Sequence, residues 1–175
     1  MADRTDARSI QAPPNGGRQT RLWDGSLPLH PFLFATASVL ALLAQNLTQA
    51  TPADAAPALL GSLAFASLVY LAVAATRRRF DACAAVIASI WVVGCLFHAG
   101  VFGFMKQFDE SYAMVWSLPV AVLAMGALTV LVTRLPEVNI KVIHLVFTGV
   151  ATVMVATPAW QTAAYEWRNY AARKA

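Results

Sequence analysis

The stretch from Ala58 to Thr76 reads ALLGSLAFASLVYLAVAAT, and Arg77, Arg78 and Arg79 follow it directly. It contains no Asp, Glu, Lys or Arg. As a helix rising about 1.5 Å per residue it would extend for about 28 Å. Because the hydrocarbon core of a bilayer is about 30 Å thick, the stretch predicts a membrane-spanning helix that ends at the three arginines.

Four further stretches share this length and this lack of charge. They are Phe32–Gln49, Ala82–Phe104, Tyr112–Thr133 and Val142–Trp160. In the whole chain 58% of the residues are hydrophobic and 13% are charged, about half the charged fraction of a soluble domain. We therefore predict an all-α fold, an integral membrane bundle of about five transmembrane helices.

The chain divides into three parts, which are the spans and the polar regions before and after them. Residues 1–30 are rich in Arg, Asp, Pro and Gly and show no periodicity, which predicts a disordered polar N-terminal tail. Residues 31–161 form the transmembrane domain, and residues 162–175 form a short basic extracytoplasmic tail. Reading the first apolar stretch as a signal peptide is the alternative, but that stretch and the region before it are both too long for one.

The basic residues are unequally distributed between the two sides of this bundle. Nine Lys and Arg lie in the N-terminal tail and in the second and fourth connections, against four in the remaining connections and the C-terminal tail. The positive-inside rule then places the N-terminus inside and the C-terminus outside, and we expect the bacterial inner (cytoplasmic) membrane as the location.

The expected partners follow from charge and side-chain size. The net charge is +4, and the Lys and Arg residues cluster beside apolar segments, where they can contact anionic lipid head groups. No nucleic-acid-binding motif is present, so the predicted partners are the lipid bilayer and other membrane proteins, and not nucleic acid. Small residues in the spans favour close helix association. They are Gly61, Ala64, Ser67, Ala84, Ala88, Gly126 and Gly149.

The histidines are the candidates for cofactor binding. His30 precedes the first span, whereas His98 and His144 differ in depth by roughly 15 Å or more, too far to share one bis-histidine haem. His98 alone is the candidate ligand of a haem or a chlorophyll-type pigment. The alternative, which we prefer, is a neutral histidine hydrogen-bonded inside the bundle, so that no cofactor and no metal site are predicted.

Two polar features lie at the ends of the spans. Gln45, Asn46 and Gln49 close the first span and form a candidate outer-face polar rim, and the alternative is a helix end that pairs its last carbonyls with water. Asp109 and Glu110 are adjacent carboxylates on a short loop, where they point apart and make a poor acid–base pair. We therefore predict no catalytic residue.

The segment Leu27-Pro28-Leu29-His30-Pro31-Phe32-Leu33-Phe34, continuing to Ala44-Gln45-Asn46, resembles part of a known family. It is similar to the N-terminal multi-span membrane region of bacterial membrane-anchored sulfatase-like proteins of the alkaline-phosphatase superfamily. Arg77-Arg78-Arg79 and Leu96-Phe97-His98-Ala99-Gly100 stand at the places of that family's arginine-bearing loop and its Phe-x-x-Gly-His-like motif, here with His before Gly.

The resemblance covers about Leu27 to Phe104 and implies a membrane anchor. In that family an extracytoplasmic catalytic domain with metal ligands and nucleophile follows the last helix. The chain ends at Ala175, so we expect that domain to be absent.

Together these features predict a non-catalytic integral membrane module, an anchor or accessory subunit of a larger membrane assembly linked to envelope glycan or lipid machinery. One alternative is a cofactor- or pigment-bearing subunit of an energy-converting membrane complex, with His98 as the ligand. Another is a small-solute or lipid transporter. Ion-coupled transport is disfavoured because Asp, Glu, Lys and Arg are missing from the spans.

Overall fold

The computed structural model of the protein describes residues 28–98, 102, 105–107 and 110–174. In these residues the fold is all-helical, as the sequence predicts, with five long helices. They are α1 (Leu29–Gln45), α2 (Ala56–Arg77), α3 (Ala82–Leu96), α4 (Glu110–Thr133) and α5 (Glu137–Lys174).

Three of the helices are long and apolar enough to cross a membrane. They are α2, the Ala113–Thr133 part of α4 and the Glu137–Tyr170 part of α5. This confirms the prediction of a helical membrane protein. The other two helices are also apolar but shorter. With 17 residues in α1 and 15 in α3, they measure about 26 and 22 Å. Most of the predicted third span beyond His98 lies outside the described residues.

Helix α3 is the centre of the bundle and packs against each of the other four helices. Its first turns contact the end of α4 and the start of α5, where Val86 meets Val132 and Ile140. Its later turns contact the beginning of α1, where Val92 meets Phe34.

Further along α3, Phe147 of α5 packs near Val92 and Met125 of α4 lies beside Gly94, so α5 runs parallel to α3 and α4 runs antiparallel to it. The end of α1 shares a cleft with Phe97, so α1 also runs parallel to α3.

The position of α3 follows from its small side chains. Every residue from Ala82 to Ser89 is buried, and alanines allow helix backbones to approach closely in lipid. Gly94 shows how close the approach to α4 is. A Cβ atom added to Gly94 would lie 2.0 Å from the Met125 sulfur, so a larger residue there would require the flexible Met125 side chain to move.

The ends of the helices differ from the predicted boundaries in two places. Helix α1 begins at Leu29, two residues before the predicted transmembrane domain. Helix α5 continues to Lys174, through the predicted basic tail of residues 162–175. Pro31 lies in the first turn of α1, where proline is tolerated because the N–H groups there have no partner within the helix. Helix α5 also continues past Pro158. Residues 1–27 of the predicted tail lie outside the described part of the chain.

The turn between α2 and α3 is fixed by polar contacts. The Asp81 carboxylate accepts a hydrogen bond of 2.7 Å from the Ala84 N–H and caps the N-terminus of α3. The same carboxylate lies 3.5 Å from the Arg77 guanidinium. Arg78 ends α2 in the left-handed region with φ = 53°. These contacts hold the three arginines on a compact turn.

Candidate functional site

Three polar side chains from three helices meet inside the bundle. His30 Nδ1 of α1 lies 2.5 Å from Ser89 Oγ of α3, and His30 Nε2 lies 2.9 Å from His144 Nδ1 of α5. The side chains of His30 and Ser89 are fully buried, and His144 is half-buried. We call this group the histidine joint, because it links α1, α3 and α5 through side-chain hydrogen bonds.

The joint satisfies both ring nitrogens of His30. A neutral imidazole carries one N–H donor and one acceptor nitrogen. If Nδ1 of His30 donates to Ser89, then Nε2 accepts from His144. If Ser89 donates to Nδ1, then Nε2 donates to His144. The chain of hydrogen bonds is therefore complete in either direction, which removes the cost of burying an unpaired polar group.

The three residues lie at the same depth in the bundle because their helices begin at different depths. Ser89 and His144 are each the eighth residue of their helix, so both lie about 10 Å from the start of α3 or α5. His30 is the second residue of α1. Since the three helices run in parallel, α1 begins about 9 Å deeper in the bundle than α3 and α5 do.

Aromatic packing closes the joint on one side. The rings of His30 and His144 are edge-to-face with centroids 4.7 Å apart. Phe147, one turn after His144, packs edge-to-face on His30 at 5.7 Å and on Phe34 at 5.9 Å. Thr148 turns its hydroxyl away and donates to the His144 carbonyl oxygen at 2.9 Å. An apolar ring thus covers the imidazole of His30.

The geometry of the joint favours a role in holding the bundle together. The His30 and Ser89 side chains are fully buried, and Ser89 also borders an apolar cavity of about 380 Å³ together with Phe34 and Phe147. Within residues 28–98, 102, 105–107 and 110–174, no three His, Cys, Asp or Glu side chains cluster to hold a metal ion. Buried, fully paired polar networks between helices specify which helices pack together and in which register.

The histidine joint is not among the predicted sites. His98 and His144 lie at different predicted depths, whereas His30 and His144 both lie where spans begin on the same predicted side of the membrane. That common side is the signal that pairs them. Ser89 has no comparable signal, because it is one of several serines in the apolar stretches.

The candidate cofactor ligand His98 lies apart from the joint. It follows the end of α3, nine residues beyond Ser89, which is about 13 Å at helical rise. Its ring is half-buried, and its Nε2 atom is buried with no hydrogen-bond partner among the described residues. His98 as a pigment ligand and His98 as a hydrogen-bonded bundle residue both remain predictions.

The three residues of the predicted polar rim have different surroundings. Gln45 lies at the last turn of α1 and lines two clefts, one beside α2 and one beside α5. Asn46 ends α1, and its side-chain amide donates a 2.7 Å hydrogen bond to the Leu42 carbonyl oxygen. Gln49 is exposed in the turn that follows. Asn46 thus pairs one of the last carbonyls of its own helix.

The connection after the rim is held by Asp54. Its carboxylate accepts hydrogen bonds of 2.8 Å from the backbone N–H and from the hydroxyl of Thr51. These two bonds, the backbone one first, lower the pKa of the Asp54 carboxyl below its usual value. Of the predicted carboxylate pair, Glu110 is exposed and lies 2.8 Å from Lys106, and Asp109 lies outside the described residues.

Comparison with known proteins identifies no relative. No family model matches the chain, and no curated protein or solved structure matches it. The geometry and the sequence therefore carry the functional argument.

Proposed function

We propose that this chain is a non-catalytic membrane module, an anchor or accessory subunit of a larger membrane assembly. The observation that carries the proposal is the length of α5. With 38 residues it extends for about 57 Å, whereas a bilayer with its head groups is about 40–45 Å thick. Helix α5 therefore continues beyond the bilayer, and we call the part that follows the predicted span, residues 161–174, the stalk.

The stalk presents aromatic side chains that the bundle does not cover. Trp167 is 75% exposed and Tyr170 is 57% exposed. Both lie in the last turns of α5, and Arg168 lies between them. Exposed aromatic and arginine side chains are the residues enriched at protein–protein contacts. The stalk is thus suited to a protein partner or to the head-group region next to it.

Within the membrane, α5 also has an uncovered face with small residues. Gly149, Thr152 and Ala156 are exposed, and a Cβ atom added to Gly149 would meet nothing within 4 Å. Small residues three or four positions apart let a second helix approach closely in lipid. This face supports association with another membrane helix.

The proposed topology has five spans in the bacterial inner membrane, with the N-terminus inside and the stalk outside. The short helices α1 and α3 complete the five, since both are apolar and pack against several neighbouring helices. The excess of Lys and Arg on the N-terminal side supports this orientation.

The resemblance of residues 27–104 to sulfatase-like membrane regions supports a role beside envelope glycan or lipid machinery. In such proteins the membrane region anchors activity that resides outside it. An outward stalk on α5 is the part of this chain that would connect to a partner of that kind.

The proposal is tested by crosslinking in the native membrane. A photoreactive phenylalanine analogue replaces Trp167, and a matched variant carries it at Leu123, which is 72% exposed on α4. We expect a stoichiometric protein adduct at position 167 and lipid adducts alone at position 123. Gentle-detergent purification and mass spectrometry should recover the same protein without crosslinking.

Two results would overturn the proposal. One is a protein that purifies alone and gives lipid adducts at both positions. The other is an equal set of protein adducts at both positions, which would indicate crowding in the membrane without a specific contact at the stalk.

A cofactor-bearing subunit is a second candidate because of one observation. The buried Nε2 atom of His98 has no partner among the described residues, and an imidazole nitrogen in this state is suited to ligate a pigment or haem iron. Protein purified from its native membrane should then absorb visible light, and His98→Ala should abolish the band while His30→Ala, which leaves His98 intact, retains it. A colourless preparation would eliminate this candidate.

A further inference from the structure

A charged recess of about 300 Å³ lies where α2 turns into α3 and α4 turns into α5. Arg77, Arg79 and Lys141 line it together with Asp81 and Glu137. We call it the arginine recess. Under the proposed topology it lies at the cytoplasmic head-group level of the membrane.

The charges in the arginine recess do not cancel. The two carboxylates are already engaged, since Asp81 lies 3.5 Å from Arg77 and Glu137 lies 2.9 Å from Lys141. The Arg79 guanidinium has no ion-pair partner among the described residues. The Nε atom of Arg77 is buried and also has no hydrogen-bond partner in that part of the chain. The recess therefore offers N–H donors and positive charge to an anion.

An apolar groove of about 420 Å³ continues from the recess along the helices. The two cavities share Arg77 and Thr133. Ala72 of α2 and Thr129 of α4 lie on opposite walls of the groove, and Trp91 of α3 lies between them. The Trp91 indole N–H donates to the Thr129 hydroxyl at 3.1 Å, so the groove presents carbon atoms for most of its length.

We propose that the arginine recess and the groove together bind one anionic phospholipid, with its phosphate in the recess and one acyl chain in the groove. Arginine N–H groups match phosphate oxygens in geometry and charge. The groove begins at the arginines and follows α2 and α4 into the apolar part of the bundle. Charge and apolar surface are thus arranged in the order found along a phospholipid molecule, and basic pockets between membrane helices bind such head groups.

The head-group half of the site is tested with two adjacent arginines. The whole chain is placed in phosphatidylcholine nanodiscs containing graded amounts of phosphatidylglycerol, and bound phosphatidylglycerol is measured by native mass spectrometry. Arg79→Gln should weaken its binding about tenfold, the effect of losing one charge-assisted hydrogen bond to the phosphate. Arg78→Gln removes the same charge from a residue outside the recess and should change binding by less than about twofold.

The acyl-chain half is tested with two alanines of α2. Ala72→Phe fills the groove, whereas Ala75→Phe adds the same side chain to an exposed position outside it. We expect Ala72→Phe to reduce bound phosphatidylglycerol and Ala75→Phe to leave it unchanged. Circular dichroism of the variants checks that each retains the helical fold of the native chain.

Three results would overturn the proposal. Equal losses from Arg78→Gln and Arg79→Gln would indicate diffuse attraction to the membrane surface. Displacement of phosphatidylglycerol by inorganic phosphate, with no effect of Ala72→Phe, would identify a site for the free anion. Equal retention of phosphatidylcholine and phosphatidylglycerol by the native chain would exclude recognition of the head-group charge.

Discussion

Helices α3 and α5 are both apolar, yet their surroundings differ. Every residue from Ala82 to Ser89 in α3 is buried by neighbouring helices. In α5, only 6% of the most apolar window is buried, and Leu145 and Trp160 are exposed at 72% and 75% of their surfaces. One helix forms the interior of the bundle and the other faces outward for most of its length.

Side-chain size contributes to this difference together with polarity, since α3 has no charged residue and α5 has charged residues near both ends. Lipid is as apolar as a leucine side chain, so burial against another helix yields no hydrophobic gain. Close backbone approach does yield packing energy, and Ala84 and Ala88 allow it from several directions because both are fully buried. Helix α5 approaches α1 closely along one face, where Ala151 is fully buried, and its larger side chains on the other faces are exposed to lipid.

The largest expected effect comes from enlarging a small residue of α3. Ala88→Leu adds three carbon atoms to a fully buried position and should lower the free energy of unfolding by about 3 kcal/mol, the upper range for overpacking. Ala156→Leu makes the same change on an exposed position of α5 and should alter stability by less than about 0.5 kcal/mol. Unfolding in mixed detergent micelles measures both, and equal losses would contradict the comparison.

Much of the fold could be predicted from the sequence because length and lack of charge define a span. The positions of α2 and α4 agree with the predicted stretches to within about two residues at each end, the usual disagreement between definitions of helix ends. The relative burial of the helices was harder to predict, since α3 and the Val142–Trp160 part of α5 are both apolar stretches without Asp, Glu, Lys or Arg. Their different roles depend on which residues the neighbouring helices reach.

The second prediction concerns His144, through which α5 contacts the interior of the bundle at the histidine joint. His144→Ala removes the hydrogen-bond partner of His30 Nε2 and leaves a buried nitrogen unpaired, which should cost about 2 kcal/mol. Leu145→Ala changes the next residue of the same helix, which is 72% exposed, and should cost less than about 0.5 kcal/mol. The same unfolding measurement applies. A larger loss from Leu145→Ala would show that α5 is held by its apolar surface and that the histidine joint contributes little.

The histidine joint illustrates what sequence analysis could not provide. His30 and His144 are 114 residues apart, and Ser89 is 59 residues from His30. Their meeting depends on α1 starting deeper in the bundle than α3 and α5, which no local pattern specifies. The polar rim was easier to identify, because Gln45 and Asn46 end an apolar stretch and their position follows from the stretch alone.

The smallest expected effect is the free energy contributed by one hydrogen bond between α3 and α4. The Trp91 indole donates to the Thr129 hydroxyl of α4, and such bonds between membrane helices contribute on average about 0.6 kcal/mol. A double-mutant cycle with Trp91→Phe and Thr129→Val should give a coupling energy of about this size. Trp160→Phe on the exposed face of α5 is the control, because it removes an indole that contacts lipid and is not part of this hydrogen bond. A coupling energy near zero would mean that this hydrogen bond contributes little to the contact between α3 and α4. The two helices would then be held by apolar packing, such as that of Met125 beside Gly94. Side-chain size would in that case matter at this interface as it does at the centre of α3.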